Sequence, residues 1–321
     1  MRARDTAPMP QRVGKIVVTG GAGFIGSHLI DRLLANGVDN VVGFDNLSRG
    51  RIENVAHLRH ERRFELVTGD VRDRASVVSV LEGASLVYHL AAQSTVMGAV
   101  RDADYTFDTN VVGTYNVLRA AVDLGITRVL FVSSREVYGE PISLPVDEDS
   151  PLLPINSYGA SKVAGEVFCR AFRREFGLET VILRLANVYG PRDVGRVIPS
   201  WIDDAAARRE LRVFGGKQVM DFVWVGQTID ALIRAGEIDG PIPPINIGSG
   251  TGTRIVDLAR RIARLAESPA HVKLEPARPM EVTRFIASVE RMRQILMLEP
   301  LLDPLGNLSD MVASPVAAVL R

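Results

Sequence analysis

Cysteine is nearly absent. Cys169 stands alone in 321 residues, so no disulfide forms within the chain and no thiolate cluster holds zinc or iron–sulfur. A reducing, cytoplasmic setting is the expectation, and no metal site is expected. An excess of charge of either sign is also missing, because Lys plus Arg and Asp plus Glu each number 38. That leaves no basic surplus for a nucleic acid backbone or an anionic membrane surface. No apolar run is long enough to cross a bilayer, and no internal repeat is visible. Residues 1–12 are polar, carry two prolines and lack the apolar centre of a signal peptide; a flexible arm is expected there. With hydrophobic residues at 46%, the remainder has ample material for a core. Its length suggests one large α/β unit with a smaller appended region.

What is present is organised around Lys15-Ile16-Val17-Val18-Thr19-Gly20-Gly21-Ala22-Gly23-Phe24-Ile25-Gly26. An apolar strand runs into clustered glycines, and a helix pattern with Leu29, Ile30, Leu33 and Leu34 on one face follows. Strand, glycine turn and helix in that order make a dinucleotide site: backbone amides and the helix N-terminus meet a pyrophosphate. Gly37 is a plausible cap, and Val41-Val42-Gly43-Phe44 reads as the next strand. Asp45 ends it about 20 residues beyond Gly26, where an acid binds the adenosine ribose hydroxyls. Arg49 is the nearby cation that would suit a 2′-phosphate, but Asp45 would repel that group, so NAD is expected rather than NADP.

A short strand is expected at Phe64–Val67, buried strands at Leu86–Ala92 and Val129–Val132, and a helix from Asp104 to Leu124 with Asn110 inside it. The first of these strands runs into Asp70 and Val71, which meet the adenine or form a surface turn. The last delivers Ser133 and Ser134 to the edge that carries the glycine turn. Next come Ser157-Tyr158-Gly159-Ala160-Ser161-Lys162. On a helix Tyr158 and Lys162 share a face. A phenol held near ammonium and pyridinium charge falls below its ordinary value of about 10, which suits a base near neutrality. Alternation of strands and helices to about residue 185 gives a doubly wound parallel sheet (Rossmann) with a smaller mixed α/β substrate-binding region, divided as 13–185 and 186–321.

These residues resemble the extended short-chain dehydrogenase/reductase family, in its NAD-dependent nucleotide-sugar epimerase and dehydratase branch. The resemblance rests on Thr19–Gly26, His89–Ala92, Asn110 with Gly113-Thr114, Ser134 with Val137-Tyr138-Gly139, Tyr158 with Lys162, and Leu183–Pro191. It implies that Tyr158 is the base, that Lys162 holds a nicotinamide ribose and that Ser134 meets the sugar's 4-oxygen. The implied NAD contacts are Gly20, Gly23, Phe24, Ile25 and Gly26; Asp45, Asn46 and Ser48; Asp70 and Val71; Leu90, Ala91 and Ala92; Asn110; and Ala186 and Val188, besides Tyr158 and Lys162. Asn187 and Arg278 are implied near the diphosphate, with Val197 and Phe214 framing the nucleotide base.

Three positions depart from the family pattern: Met220 replaces an arginine before Asp221-Phe222, Gly226-Gln227 replaces a pair of acids, and Ala99 replaces a serine. Two residues after Ser134 stands Glu136, commonly glutamate in the family's dehydratases and decarboxylases; near C5 of a 4-keto sugar it would remove a proton. Beside it, Arg135 takes the place of the acid of many hexose dehydratases. It either faces a carboxylate or other polar group on C6 or faces solvent. The resemblance implies first a C4 epimerase, most simply of a UDP-sugar, second a dehydratase or uronate decarboxylase, and third a non-catalytic dinucleotide sensor. It further implies a homodimer through the helices around Asp104–Leu124 and after Tyr158.

Overall fold

The computed structural model describes residues 14–278 and 280–313, so the 1–12 arm lies outside the described residues. The chain opens with β1 (Lys15–Thr19), β2 (Val41–Asp45), β3 (Phe64–Thr68), β4 (Ala84–His89), β5 (Arg128–Ser134) and β6 (Glu179–Leu185). Between them run α1 (Phe24–Ala35), α2 (Arg74–Leu81), α3 (Val96–Arg101), α4 (Ala103–Phe107), α5 (Gly113–Asp123) and α6 (Ser157–Phe176). Beyond lie β7 (Asn187–Tyr189), α7 (Val197–Ala206), β8 (Leu211–Phe214), β9 (Val219–Trp224), α8 (Val225–Glu237) and β10 (Ile245–Ile247), followed by β11 (Gly252–Arg254), α9 (Ile255–Leu265), β12 (Val272–Glu275) and β13 (Arg284–Phe285).

Seven strands form one parallel sheet in the order β10-β6-β5-β4-β1-β2-β3. Alternation along each strand loads both faces. From β1, Ile16 and Val18 enter one core with Leu29 and Leu33, while Val17 enters the other with Phe44, Val87 and Phe131. Order reverses between β1 and β4, and a crevice opens at the carboxyl ends of the strands there. β10 comes from the second half of the sequence, and α8 packs on α1 with an Arg32–Asp230 ion pair. The two halves therefore share one sheet, which runs across the expected boundary at residue 185.

Two local expectations are corrected. The helix drawn from Asp104 to Leu124 is not one regular α-helix: a π-helical stretch at Asp108–Val112 separates α4 from α5. Thr253, ahead of a helix pattern with Ile255, Leu258, Ile262 and Leu265 on one face, is expected to cap that helix; instead it lies in β11, paired with Met220, and Arg254 takes the cap position of α9 without a side-chain bond.

Candidate active site

Positive φ at Gly20 (73°) lets the turn after β1 bend sharply. A Cβ on Gly26 would lie 2.1 Å from the Gly20 carbonyl oxygen, so only glycine permits helix and turn to touch here. This glycine cradle opens onto a cavity of about 970 Å³. Asp45, buried at the end of β2, accepts from the Ala22 amide at 3.0 Å and the Leu47 amide at 2.8 Å. Burial raises its pKa, and those two amides hold it down. A glycine cradle at a helix N-terminus with a buried carboxylate beside it fits a dinucleotide's pyrophosphate and ribose diol.

The cavity gathers residues from every strand end around the crevice. Gly23, Phe24, Ile25, Asn46, Ser48 and Val71 line it from the β1–β3 side. Leu90, Ala91 and Ala92 line it after β4, and Ser134, Arg135 and Glu136 after β5. Tyr158, Lys162, Ala186, Asn187, Val188 and Val197 complete the wall, with Arg278 at its far end.

Three expected contact residues are engaged by protein partners and are not part of the cavity lining. Asn110 is buried with its amide already used: it accepts from the Gln93 amide at 2.7 Å, and its Nδ2 meets the Gln93 carbonyl at 3.0 Å and Ser161 Oγ at 2.9 Å. It ties the loop after β4 to α6 instead of lining the cavity. Asp70 is held by Arg72 through Nε (3.0 Å) and Nη2 (2.7 Å) and by Asn46 Nδ2 (2.9 Å). The Arg72 guanidinium lowers its carboxyl to about 2. Phe214 lies outside the cavity lining, and one of its faces is covered by the Arg278 guanidinium, 3.7 Å from the ring centroid.

At the centre Ser134 and Tyr158 line the same cavity, and Ser134 Oγ accepts from the Glu136 amide at 3.2 Å, which leaves its hydroxyl proton free to turn toward the phenol. Among the chain's own groups the phenol sits above its ordinary range. Burial pushes it up, opposed by Ser134, then by Arg196 and Arg135. Lys162 is buried with Nζ on the Val132 carbonyl at 2.8 Å and 4.9 Å from the Phe131 ring centroid; burial lowers its pKa to about 8. At neutral pH most of it is still an ammonium.

Behind the wall His89 is fixed in one tautomer by its partners. Thr114 donates to the Asn110 carbonyl (2.6 Å), so its oxygen accepts from His89 Nε2 (2.9 Å), and His89 Nδ1 accepts from Thr19 Oγ1 (2.8 Å). Burial lowers the imidazole to about 3, so it stays neutral and structural. Arg135 does not face solvent. Its Nη2 lies 2.8 Å from Glu136 Oε1, and its Nε donates to Asn187 Oδ1 at 3.3 Å.

Further wall residues were not singled out by the sequence pattern: Gln93, Thr95, Arg101, Arg192, Asp193 and Arg196. Lone polar residues in loops carry no period, and only the preponderance of arginine in Arg192-Asp193-Val194-Gly195-Arg196 was there to be noticed. The neutral chain thus concentrates cations at this cavity, where Arg49, Arg51, Arg101, Arg192, Arg196 and Arg278 accompany Asp45, Glu136, Asp193 and Glu281. Such a wall suits a ligand with several phosphates. No group of metal-binding side chains occurs among the described residues, and no helix among them is long and apolar enough to cross a membrane.

Comparison with known proteins agrees with this geometry. Residues 16–248 match the model of the NAD dependent epimerase/dehydratase family. A UDP-glucose 4-epimerase of Mycolicibacterium smegmatis is 37% identical over 294 residues, 89% of this chain and 93% of that protein. The crystal structure of a UDP-glucose 4-epimerase from Thermotoga maritima with UDP-glucose superposes with a TM-score of 0.89 at 31% identity, covering 96% of this chain and 100% of that one. A UDP-glucuronic acid 4-epimerase from Bacillus cereus, in complex with UDP-glucuronic acid and NAD, gives 0.88 at 28% identity, covering 95% of this chain and 99% of that one. The chain belongs to the NAD dependent epimerase/dehydratase family.

Proposed function

We propose that this enzyme inverts a nucleotide sugar, most simply a UDP-sugar, at C4 through a transient 4-keto sugar, with NAD as resident cofactor. The observation that carries the reading is the gathering of Ser134, Tyr158 and Lys162 on the wall of a cavity that also holds the glycine cradle and Asp45. NAD, when bound, supplies a two-electron hydride acceptor. Asp45 holds its adenosine ribose, the amides at the N-terminus of α1 hold its pyrophosphate, and Lys162 takes the nicotinamide ribose. Tyr158 accepts the C4 hydroxyl proton, directly or through Ser134, and returns it after the ketone has turned. Because burial holds the phenol up, its ionisation depends on added positive charge in the cleft. Arg196 and Arg278 bind the diphosphate; Met220, buried in β9, takes no part.

The test is a panel of nucleotide sugars followed by mass and proton NMR. Inverted C4 at unchanged mass is expected, whereas loss of water or carbon dioxide would favour the elimination or decarboxylation that Glu136 on the wall also suggests. Tyr158→Phe should keep the fold and lose roughly 10²- to 10⁴-fold in turnover; wild-type turnover would remove Tyr158 from the mechanism.

We further infer a homodimer. Phe107 on α4 is 56% exposed and Val167 on α6 53% exposed, with Tyr115 and Phe176 also open on α5 and α6. Apolar side chains on adjoining helices favour burial against a second copy. A monomeric mass by light scattering at micromolar concentration would contradict this.

A further inference from the structure

Glu136 stands on the cavity wall two residues beyond the serine that meets the 4-oxygen, so a 4-keto sugar in this site presents its acidified C5–H to a nearby carboxylate. If that carboxylate were free, elimination would compete with inversion. The C5–H proton would pass to Glu136, the C6–O bond would break, the hydroxyl would leave as water with that proton, and a C5=C6 bond would form. Both oxygens are engaged, however. Oε1 lies 2.8 Å from Arg135 Nη2, and Oε2 accepts from Asn156 Nδ2 at 2.8 Å.

Each of these partners is anchored in turn. Asn156 Oδ1 accepts from the Gly159 amide at 2.8 Å and so caps α6, the helix of Tyr158 and Lys162. Arg135 donates through Nε to Asn187, whose own Nδ2 donates to the Asp221 carbonyl at 2.9 Å. Its guanidinium carbon lies 5.8 Å from the Phe285 ring centroid. To reach into the cavity, Glu136 would have to turn away from both partners and leave a guanidinium without its counter-ion in a setting where the two side chains are only 13% and 5% exposed. That separation is costly. Arg135 itself stays protonated and cannot replace Glu136 in moving a proton.

We infer that Arg135 is a positioning residue that holds Glu136 out of proton transfer, so that the 4-keto sugar keeps its C5 hydrogen and the site inverts rather than eliminates. This rests on the reading of the site as a C4 epimerase.

A nucleotide-linked 4-keto-6-deoxyhexose is the probe. It has no leaving group at C6, needs no hydride transfer, and reports the exchange of its C5–H for deuterium in deuterated water, resolved by proton NMR from exchange at C3, the other carbon flanking the ketone. With the wild type and with Glu136→Gln, exchange should match that in buffer. With Arg135→Ala it should rise by roughly 10²-fold, the scale of a positioned base. Arg135→Gln, which keeps the stem over Phe285, should also rise should the alanine variant fail to fold. Arg135→Lys should stay near wild type, and Arg135→Ala/Glu136→Gln should fall back to the buffer rate. Exchange by the wild type that Glu136→Gln abolishes would overturn the inference. So would folded, probe-binding Arg135 variants that show no gain. Failure of the wild type to invert any nucleotide sugar at C4 would instead overturn the function proposed above, leaving the exchange result to be read by itself.

Discussion

Two buried carboxylates, Glu166 on α6 and Asp193 in the loop before α7, have opposite surroundings. Glu166 accepts from Arg184 Nε (2.9 Å) and Nη2 (2.7 Å), from Ser133 Oγ (2.7 Å) and from Arg170 Nη2 (3.0 Å). Arg184 in turn reaches the Tyr138 hydroxyl and the Glu148 carbonyl, each at 2.8 Å, so the network spans β5, β6 and α6 and extends to the loop after β5. Asp193 is nearly as buried, yet its nearest cation, Arg196 Nε, stands 3.7 Å away. A closed set of partners on the scaffold side lets the strand ends and α6 act as a rigid frame. An open set on the cavity side leaves a charge whose state can respond to conditions. Glu136 lies between these extremes, engaged at both oxygens but on the wall.

The largest effect should come from opening the closed set. Arg184→Met would leave Glu166, which has no exposure, with only Ser133 and Arg170 as partners, and loss of one partner of a buried ion pair costs about 3–5 kcal/mol. Urea unfolding should show that loss, and Arg184→Met/Glu166→Leu should recover part of it by removing the stranded charge. A loss under about 1 kcal/mol in the single variant would mean that the pair is solvated, and the contrast with Asp193 would collapse.

What the sequence displayed was local order. The turn at Gly20–Gly26, the acid at Asp45 and the Tyr158–Lys162 pair each lie in a single stretch whose period or spacing states its geometry. Asn110, Asp70 and Phe214 have protein partners that the sequence did not announce, because a side chain's partner is chosen in three dimensions. Gln93 claims Asn110 from 17 residues away, Arg72 turns back on Asp70, and Arg278 crosses from beyond β12 to cover Phe214. The protein's own effect on the Tyr158 phenol was hidden for a related reason: burial outweighs the neighbouring charges of the chain, and burial is not written in the spacing of two residues. The return of β10 to the main sheet was equally hidden, since a three-residue strand carries no sign of which sheet it joins.

A smaller effect should come from Asp193, where the open set leaves a pH dependence. Burial raises its carboxyl from 3.8 to about 6, partly offset by Arg196 and Arg49, which face it from its own loop and from the loop after β2. The folded state therefore holds this proton more tightly than the unfolded chain does. The stability from that preference is fully present below about pH 3.8 and is lost as pH rises through about 6. A gap of that size is worth roughly 2–3 kcal/mol. Asp193→Asn cannot ionise, so its stability relative to wild type should rise by about that amount between pH 4 and pH 7. Urea unfolding at both pH values measures the difference directly. Were the difference flat with pH, Asp193 would titrate in its ordinary range and would be as well compensated as Glu166, which would remove the asymmetry between scaffold and cavity wall.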